Sequence, residues 1–278
     1  MAIRHMCFKD GKEKAVTFSY DDAVQSDARF IKILDKNGLK GTFNVNAGMF
    51  APEGTVYPEG QAACRMTRNE AYELYKNSEH EVALHGYDHH FLTHLPTSHM
   101  IDEILSERKI LEEMFETRIV GGAYAFGDYD DTAVDVLRLC GVKYFRTTES
   151  TGNFAIPKDW LRLKPTCHHN APNLMELADT FLNISTRYGP KLFYVWGHTY
   201  EFNQHNNWEV FEEFAEKIGG KEDIWYATNI EIYDYIKAYD SLEFYADGKT
   251  VYNPTLVDVW MVIEGTKYKI PSGETVKL

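Results

Sequence analysis

The run Ala15-Val16-Thr17-Phe18-Ser19-Tyr20-Asp21-Asp22 carries an apolar strand straight into two adjacent carboxylates. In a βα barrel the groups that do chemistry project from the C-terminal ends of strands, so Asp21 and Asp22 stand where an acid pair is useful. Neighbouring carboxylates repel each other, and a cation on one leaves the other as a free base near neutral pH. The plainer reading is a helix N-cap, since an Asp there satisfies the free N–H groups of the following helix. A second apolar run, Val82-Ala83-Leu84, breaks into His85-Gly86-Tyr87-Asp88-His89-His90. If the chain turns helical there, His85 and His89 share a face at a spacing suited to one metal ion. Imidazole nitrogen with carboxylate oxygen is a ligand set for zinc and its neighbours, and three protein ligands leave a position open for water. A histidine pair alone is more often surface or core decoration. Its coupling to the acid pair is what argues for a site.

Other features bound the fold and the partners. The chain has 278 residues, 44% of them apolar, enough to fill the core of one large domain or of a barrel with a small appendage. Its net charge of −13 repels phosphate backbones and anionic membranes, which argues against nucleic-acid binding and membrane association. Cys7, Cys64, Cys140 and Cys167 are widely spaced, which predicts free thiols. No stretch reaches the ~20 apolar residues of a membrane span and the first ten residues lack a signal-peptide core, so the expected location is cytoplasmic.

Strands are expected over Ala15 to Ser19, Gly41 to Val45, Glu81 to Leu84, Gly122 to Ala125, Lys143 to Arg146, Leu192 to Trp196 and Ile224 to Ala227. Helices are expected between them, over Ser26 to Asn37, Thr67 to Lys76, His99 to Phe115, Asp131 to Leu139, Asn173 to Arg187, Trp208 to Ile218 and Ile230 to Tyr239. This alternation predicts an α/β protein with βα units around a parallel sheet or barrel. After Tyr239 two hairpins turning at Asp247-Gly248 and Glu264-Gly265 are expected. The predicted division is a barrel over 1–239 and a small β-rich appendage over 240–278.

From about Ala15 to Tyr235 the chain resembles the polysaccharide deacetylases of carbohydrate esterase family four, the nodulation-type deacetylases. Their first motif, T-F-D-D-G, is similar to Ser19-Tyr20-Asp21-Asp22-Ala23, which implies Asp21 as catalytic base and Asp22 as metal ligand. Their second, H-[ST]-x-x-H, is similar to His85-Gly86-Tyr87-Asp88-His89 and implies His85 and His89 as the other two ligands, with Gly86 in place of the usual hydroxyl residue. The third, R-x-P-[YF]-G, is partly present in Ala123-Tyr124-Ala125-Phe126-Gly127. Phe126 keeps the implied role of backbone oxyanion donor, whereas Ala123 loses the arginine that orients the base, and Arg146 on the next strand is the candidate replacement. Asp159-Trp160 resembles the end of the fourth motif, whose Trp walls the sugar pocket, and Trp196-Gly197-His198 is similar to the fifth, L-x-H. His198 is then the implied general acid, a role that suits an ordinary imidazole pKa of ~6.5, with Glu201 as a possible orienting neighbour. Thr166-Cys167-His168-His169 is placed near the site mouth, and Tyr124, Arg146, Trp160 and His168 are the candidate substrate contacts.

The resemblance implies a distorted (β/α) barrel of the polysaccharide deacetylase type, one divalent cation (zinc, or cobalt, nickel or manganese), and removal of acetyl groups from a carbohydrate. Two rivals remain: a same-fold hydrolase of O-acetyl esters or small amides, and a catalytically dead carbohydrate-binding protein.

Overall fold

The computed structural model describes residues 4–278. Its strands are β1 (Arg4–Cys7), β2 (Lys14–Asp21), β3 (Gly41–Val45), β4 (Glu81–Leu84), β5 (Gly121–Ala123), β6 (Tyr144–Arg146), β7 (Cys167–His168), β8 (Lys191–Gly197), β9 (Ile224–Tyr226), β10 (Glu243–Phe244), β11 (Thr250–Tyr252), β12 (Val259–Ile263), β13 (Thr266–Ile270) and β14 (Thr275–Lys277). Its helices are α1 (Asp27–Lys36), α2 (Arg68–Tyr75), α3 (Thr97–Phe115), α4 (Asp131–Leu139), α5 (Leu174–Asn183), α6 (Tyr200–His205), α7 (Trp208–Ile218) and α8 (Asn229–Asp240).

The main sheet is parallel, in the order β6-β5-β4-β3-β2-β8-β7, with β9 also on β2. All eight residues of β2 are buried, because it lies at the centre with helices packed against the sheet. Its first half, Lys14–Val16, pairs with β9, and its second half, Phe18–Asp21, pairs with β3. Two strands thus share one edge of β2, which distorts the barrel. The segment from Trp160 to His168 closes it. Leu163 N–H donates to Phe145 on β6, and Thr166 N–H donates to Tyr194 on β8. This is the distorted (β/α) barrel expected from the sequence.

The helices begin where the sequence provides caps. Thr67 and Glu70 form a reciprocal capping box at α2, as Thr228 and Glu231 do at α8. Their apolar faces, with Phe30, Leu34, Leu137, Phe181, Phe211 and Phe214 among them, cover the sheet in one continuous core. A second cluster packs Ile232, Tyr235 and Ile236 of α8 against Ala15, Tyr144, Leu192 and Tyr194. No helix among the described residues is long and apolar enough to cross a membrane. The four cysteines are buried and unpaired.

Both expected hairpins are present: β10–β11 encloses Asp247-Gly248, and β12–β13 turns at Glu264-Gly265, with Gly248, Glu264 and Gly265 at positive φ. One pairing departs from the expected division. β1, at the start of the chain, lies antiparallel on β12 and so joins the sheet built from the last residues. Such long-range pairing leaves no local signal in a four-residue run.

The short β5 owes its place to two glycines. A Cβ on Gly121 would fall 1.9 Å from the ring of Tyr144, whose hydroxyl is anchored to Glu81 Oε1 at 2.7 Å. Gly121→Ala is therefore expected to cost roughly 1–3 kcal/mol, the usual range for overpacking, read as a lower urea midpoint. An unchanged midpoint would mean that the ring moves freely.

Candidate active site

Asp21 ends β2, Asp22 follows it, His85 follows β4, and His198 follows β8, so strand ends deliver all four to one face of the barrel. His89 arrives by a different route from the helical spacing expected. After β4 the chain makes a tight turn with Gly86 at φ +83° and His89 at φ +56°, and that turn brings the two imidazoles together. Asp22, Ala23 and Phe126 also have positive φ, at 87°, 49° and 59°. Non-glycine residues pay for this conformation, and its concentration around one site is typical of a functional constellation.

Asp22 Oδ1 lies 3.8 Å from His85 Nε2 and 3.8 Å from His89 Nε2, and the two Nε2 atoms are 3.3 Å apart. A triangle of this size admits an ion at about 2.0–2.1 Å from each corner, the ordinary Zn–N and Zn–O lengths. His85 Nδ1 faces the Ala123 carbonyl oxygen at 3.0 Å, so the ring proton sits there and Nε2 keeps its lone pair for a cation. Burial and the neighbouring His85 bring His89 down to about 4, leaving it in the neutral, ligating form at pH 7. The donor set fits a divalent metal ion. Arg65 anchors Asp22 from behind, with Nη2 donating to Oδ1 at 2.8 Å and Nη1 to the backbone oxygen at 2.6 Å.

Beside this triangle Asp21 is almost completely buried. Its Oδ1 accepts from Asn44 Nδ2 at 2.7 Å, and its Oδ2 pairs closely with Arg146 Nη2. His85 Nε2 and His198 Nε2 stand 3.7 and 3.8 Å from the same Oδ2. Burial alone would raise this carboxyl, but Arg146, His85 and His198 outweigh it and hold Asp21 at about 2.

Arg146 is fully buried, donates also to Ser19 Oγ at 3.3 Å and to the Thr147 carbonyl at 3.3 Å, and lies over the Trp196 ring. Its guanidinium pairs with Asp21, and full burial keeps it from touching a substrate, which corrects its expected place among the substrate contacts. Tyr124 and Trp160 are corrected too. Tyr124 is core, its hydroxyl donating to the Leu161 carbonyl at 2.7 Å. Trp160 packs edge-on against Tyr233 in the second core cluster. Both are apolar rings at strand margins whose neighbours come from distant segments. Phe126 is 54% exposed, stacks face to face on Phe91 with centroids 4.0 Å apart, and meets the His89 ring edge-on at 4.4 Å.

Around His198 lies a group that the sequence located only in outline. Glu201 Oε1 faces His198 Nδ1 at 3.3 Å, and its Oε2 faces His168 Nε2 at 3.2 Å and His169 Nε2 at 2.9 Å. Burial disfavours the Glu201 carboxylate, but the three imidazoles pull it far below its ordinary value. His168 Nδ1 accepts from the Asn170 N–H at 3.1 Å, which puts its proton on Nε2 and makes it a donor to Glu201. His168 thus contacts the site through Glu201.

A cavity of ≈1010 Å³ lies elsewhere, lined by Lys12, Lys14, Asp223 and Lys267 among others and by none of these residues. Convergent chemistry, not volume, marks the site.

Residues 8–145 match the family model for polysaccharide deacetylase. Over that stretch the chain is a polysaccharide deacetylase domain. Among solved structures, a Mycobacterium smegmatis protein named for the polysaccharide deacetylases is 18% identical over 84% of this chain and 93% of its own, with a TM-score of 0.59. The chitin deacetylase of the fungal pathogen Colletotrichum lindemuthianum is 15% identical over 81% and 88%, with a TM-score of 0.51. The Streptococcus pyogenes deacetylase PplD, solved with acetate, is 22% identical over 48% of this chain, which spans about half (55%) of PplD, with a TM-score of 0.41. None of the curated proteins compared with the sequence matches it.

His198 and Glu201 lie beyond the residues matched to the polysaccharide deacetylase model, so their case is geometric. Burial opposes a charged His198, but the contact with Glu201 and the carboxylates of Asp21 and Asp22 outweigh it and raise its pKa. A raised histidine adds stability below its unfolded pKa and loses it as the pH climbs through the folded value. Its acid form likewise persists to higher pH. Glu201→Gln is expected to move the alkaline limb of the kcat/KM profile to lower pH, and an unmoved limb would remove Glu201 from the control of His198.

Proposed function

We propose that this chain is a metal-dependent hydrolase that removes acetyl groups, N-linked ones first among them, from a carbohydrate. The observation that carries this reading is the Asp22–His85–His89 triangle standing against a buried Asp21, paired with Arg146, and His198 on its other side. A divalent cation held by those three ligands supplies Lewis acidity, polarising the acetyl carbonyl and lowering the pKa of a water molecule. Zinc suits the two nitrogens and one oxygen best.

The protein does the rest. Asp21, ionised and in reach, takes the proton of the attacking water. Arg146 and Asn44 hold the carboxylate so that Oδ2 faces the reacting centre. The backbone N–H of Phe126 donates to the oxygen of the tetrahedral intermediate. His198 gives its proton to the departing amine, or to the alcohol of an ester, as the C–N or C–O bond breaks. Acetate and the deacetylated sugar leave. The exposed ring of Phe126 offers an apolar face at the rim where a sugar can pack.

Acetate release from N-acetylglucosamine oligomers, acetylated xylan and simple amides separates this proposal from its rivals. Release from the N-acetylated sugars is expected to dominate. Turnover of xylan or amides alone would move the enzyme to a different acyl substrate, and binding of oligomers without release would make it a carbohydrate-binding protein.

A further inference from the structure

Two glutamates on α3 hold the segment that carries His85 and His89. Glu107 is completely buried, and no Lys or Arg pairs with it among the described residues. Its Oε2 accepts the backbone N–H of His85 at 3.1 Å and of Gly86 at 2.9 Å, and its Oε1 accepts that of Ala47 at 3.3 Å. Glu103, one turn earlier and 8% exposed, accepts the Asp88 N–H on Oε2 at 3.1 Å and contacts His90 Nδ1 through Oε1. Residues four apart on a helix share a face, so the two carboxylates grip the loop on either side of Tyr87. On the opposite side Asn46 Nδ2 donates to the carbonyls of His85 and Gly86 at 2.8 Å each. The gripped peptides are those that must adopt positive φ at Gly86 and His89.

We propose that Glu107, helped by Glu103, is a positioning residue for the metal centre: the pair fixes the backbone of residues 85–90 so that His85 Nε2 and His89 Nε2 face Asp22 before any cation arrives. The proposal rests on the reading of Asp22, His85 and His89 as cation ligands. Carboxylates are suited to this task because they only accept, and each oxygen takes more than one N–H donor. A strained loop held in advance lowers the ordering cost of binding, so the clamp acts on affinity. An amide cannot replace Glu107. Whichever way Gln turns, its NH2 faces either the Ala47 N–H or those of His85 and Gly86.

The test is the zinc dissociation constant of the full metal-stripped chain, measured by competition with a chromophoric chelator, alongside the urea midpoint of the stripped protein. Glu107→Gln is expected to weaken zinc binding about 10- to 100-fold, the range seen when partners of metal ligands are lost, and Glu103→Gln to weaken it less. Glu113→Gln, at an exposed site on the same helix, is expected to keep the wild-type affinity. Excess zinc is expected to restore acetate release in the two weakened variants. Should Glu107→Gln fail to fold, Glu103→Gln decides. Folded variants that lose urea resistance but bind zinc within twofold of wild type would reduce the glutamates to a structural role and overturn the proposal. A wild-type chain that takes up no zinc would overturn the metal-centre reading itself, and the clamp with it.

Discussion

Asp21→Asn is expected to leave zinc binding in place and to lower acetate release roughly 100- to 10,000-fold, the contribution typical of a general base. The two halves of this expectation come from different atoms. In the proposed centre zinc would be held by Asp22, His85 and His89, whose facing atoms form the triangle without help from Asp21. Proton transfer requires an ionised acceptor beside them, and Asp21 Oδ2 is the buried carboxylate oxygen that also lies near His198. The amide of Asn cannot accept a proton from water and must turn its NH2 toward Arg146 or Asn44, both of which donate. Acetate assays and metal analysis on the same preparation check this directly. Near wild-type turnover would remove Asp21 from the role of base.

Arg146→Met is expected to cost about 3–5 kcal/mol of stability, the usual penalty for breaking a buried ion pair by removing one partner. The guanidinium has no access to solvent, and without it the buried Asp21 keeps only Asn44 as a firm donor. The urea midpoint of the metal-free protein reads the loss, and the double variant Asp21→Asn, Arg146→Met is expected to recover part of it because no charge is left stranded. The pH dependence follows the same pair. Asp21 is depressed from 3.8 to about 2, so its stabilisation is fully present above pH 4 and is lost as the pH falls toward 2. Arg146→Met removes the main cause of that depression, so the variant should lose less stability than wild type across this interval. Equal acid sensitivity would show that another group carries the effect.

How far the sequence revealed the site depended on how local each signal was. An apolar run ending in two acids, and another ending in histidines, already place side chains at strand ends, so Asp21, Asp22, His85 and His198 were legible together. The seven main strands were legible for the same reason, within one or two residues at most ends. Four elements were not. β1 pairs with residues some 250 positions away, β7 has two residues, β14 has three, and α6 has six with no clear apolar repeat. The misassigned residues share one cause. Tyr124 and Trp160 are aromatic rings beside site motifs, and whether such a ring faces the site or the core is decided by segments that the motif does not contain. Arg146 was singled out as a candidate guanidinium beside the base, but its complete burial depends on Trp196 and Ser19 meeting it across the barrel. Arg65 and Glu107 carried no visible signal, since a lone charged residue in a loop or helix reads as surface until its backbone partners are known.

The most direct test of the central claim is acetate release from N-acetylglucosamine oligomers by chelator-stripped protein while zinc is returned and counted. The account predicts silence in the stripped protein and release that grows with bound zinc and levels off at about one ion per chain, as expected of a single three-ligand site. Undiminished release after stripping, or a chain that binds no zinc, would contradict it.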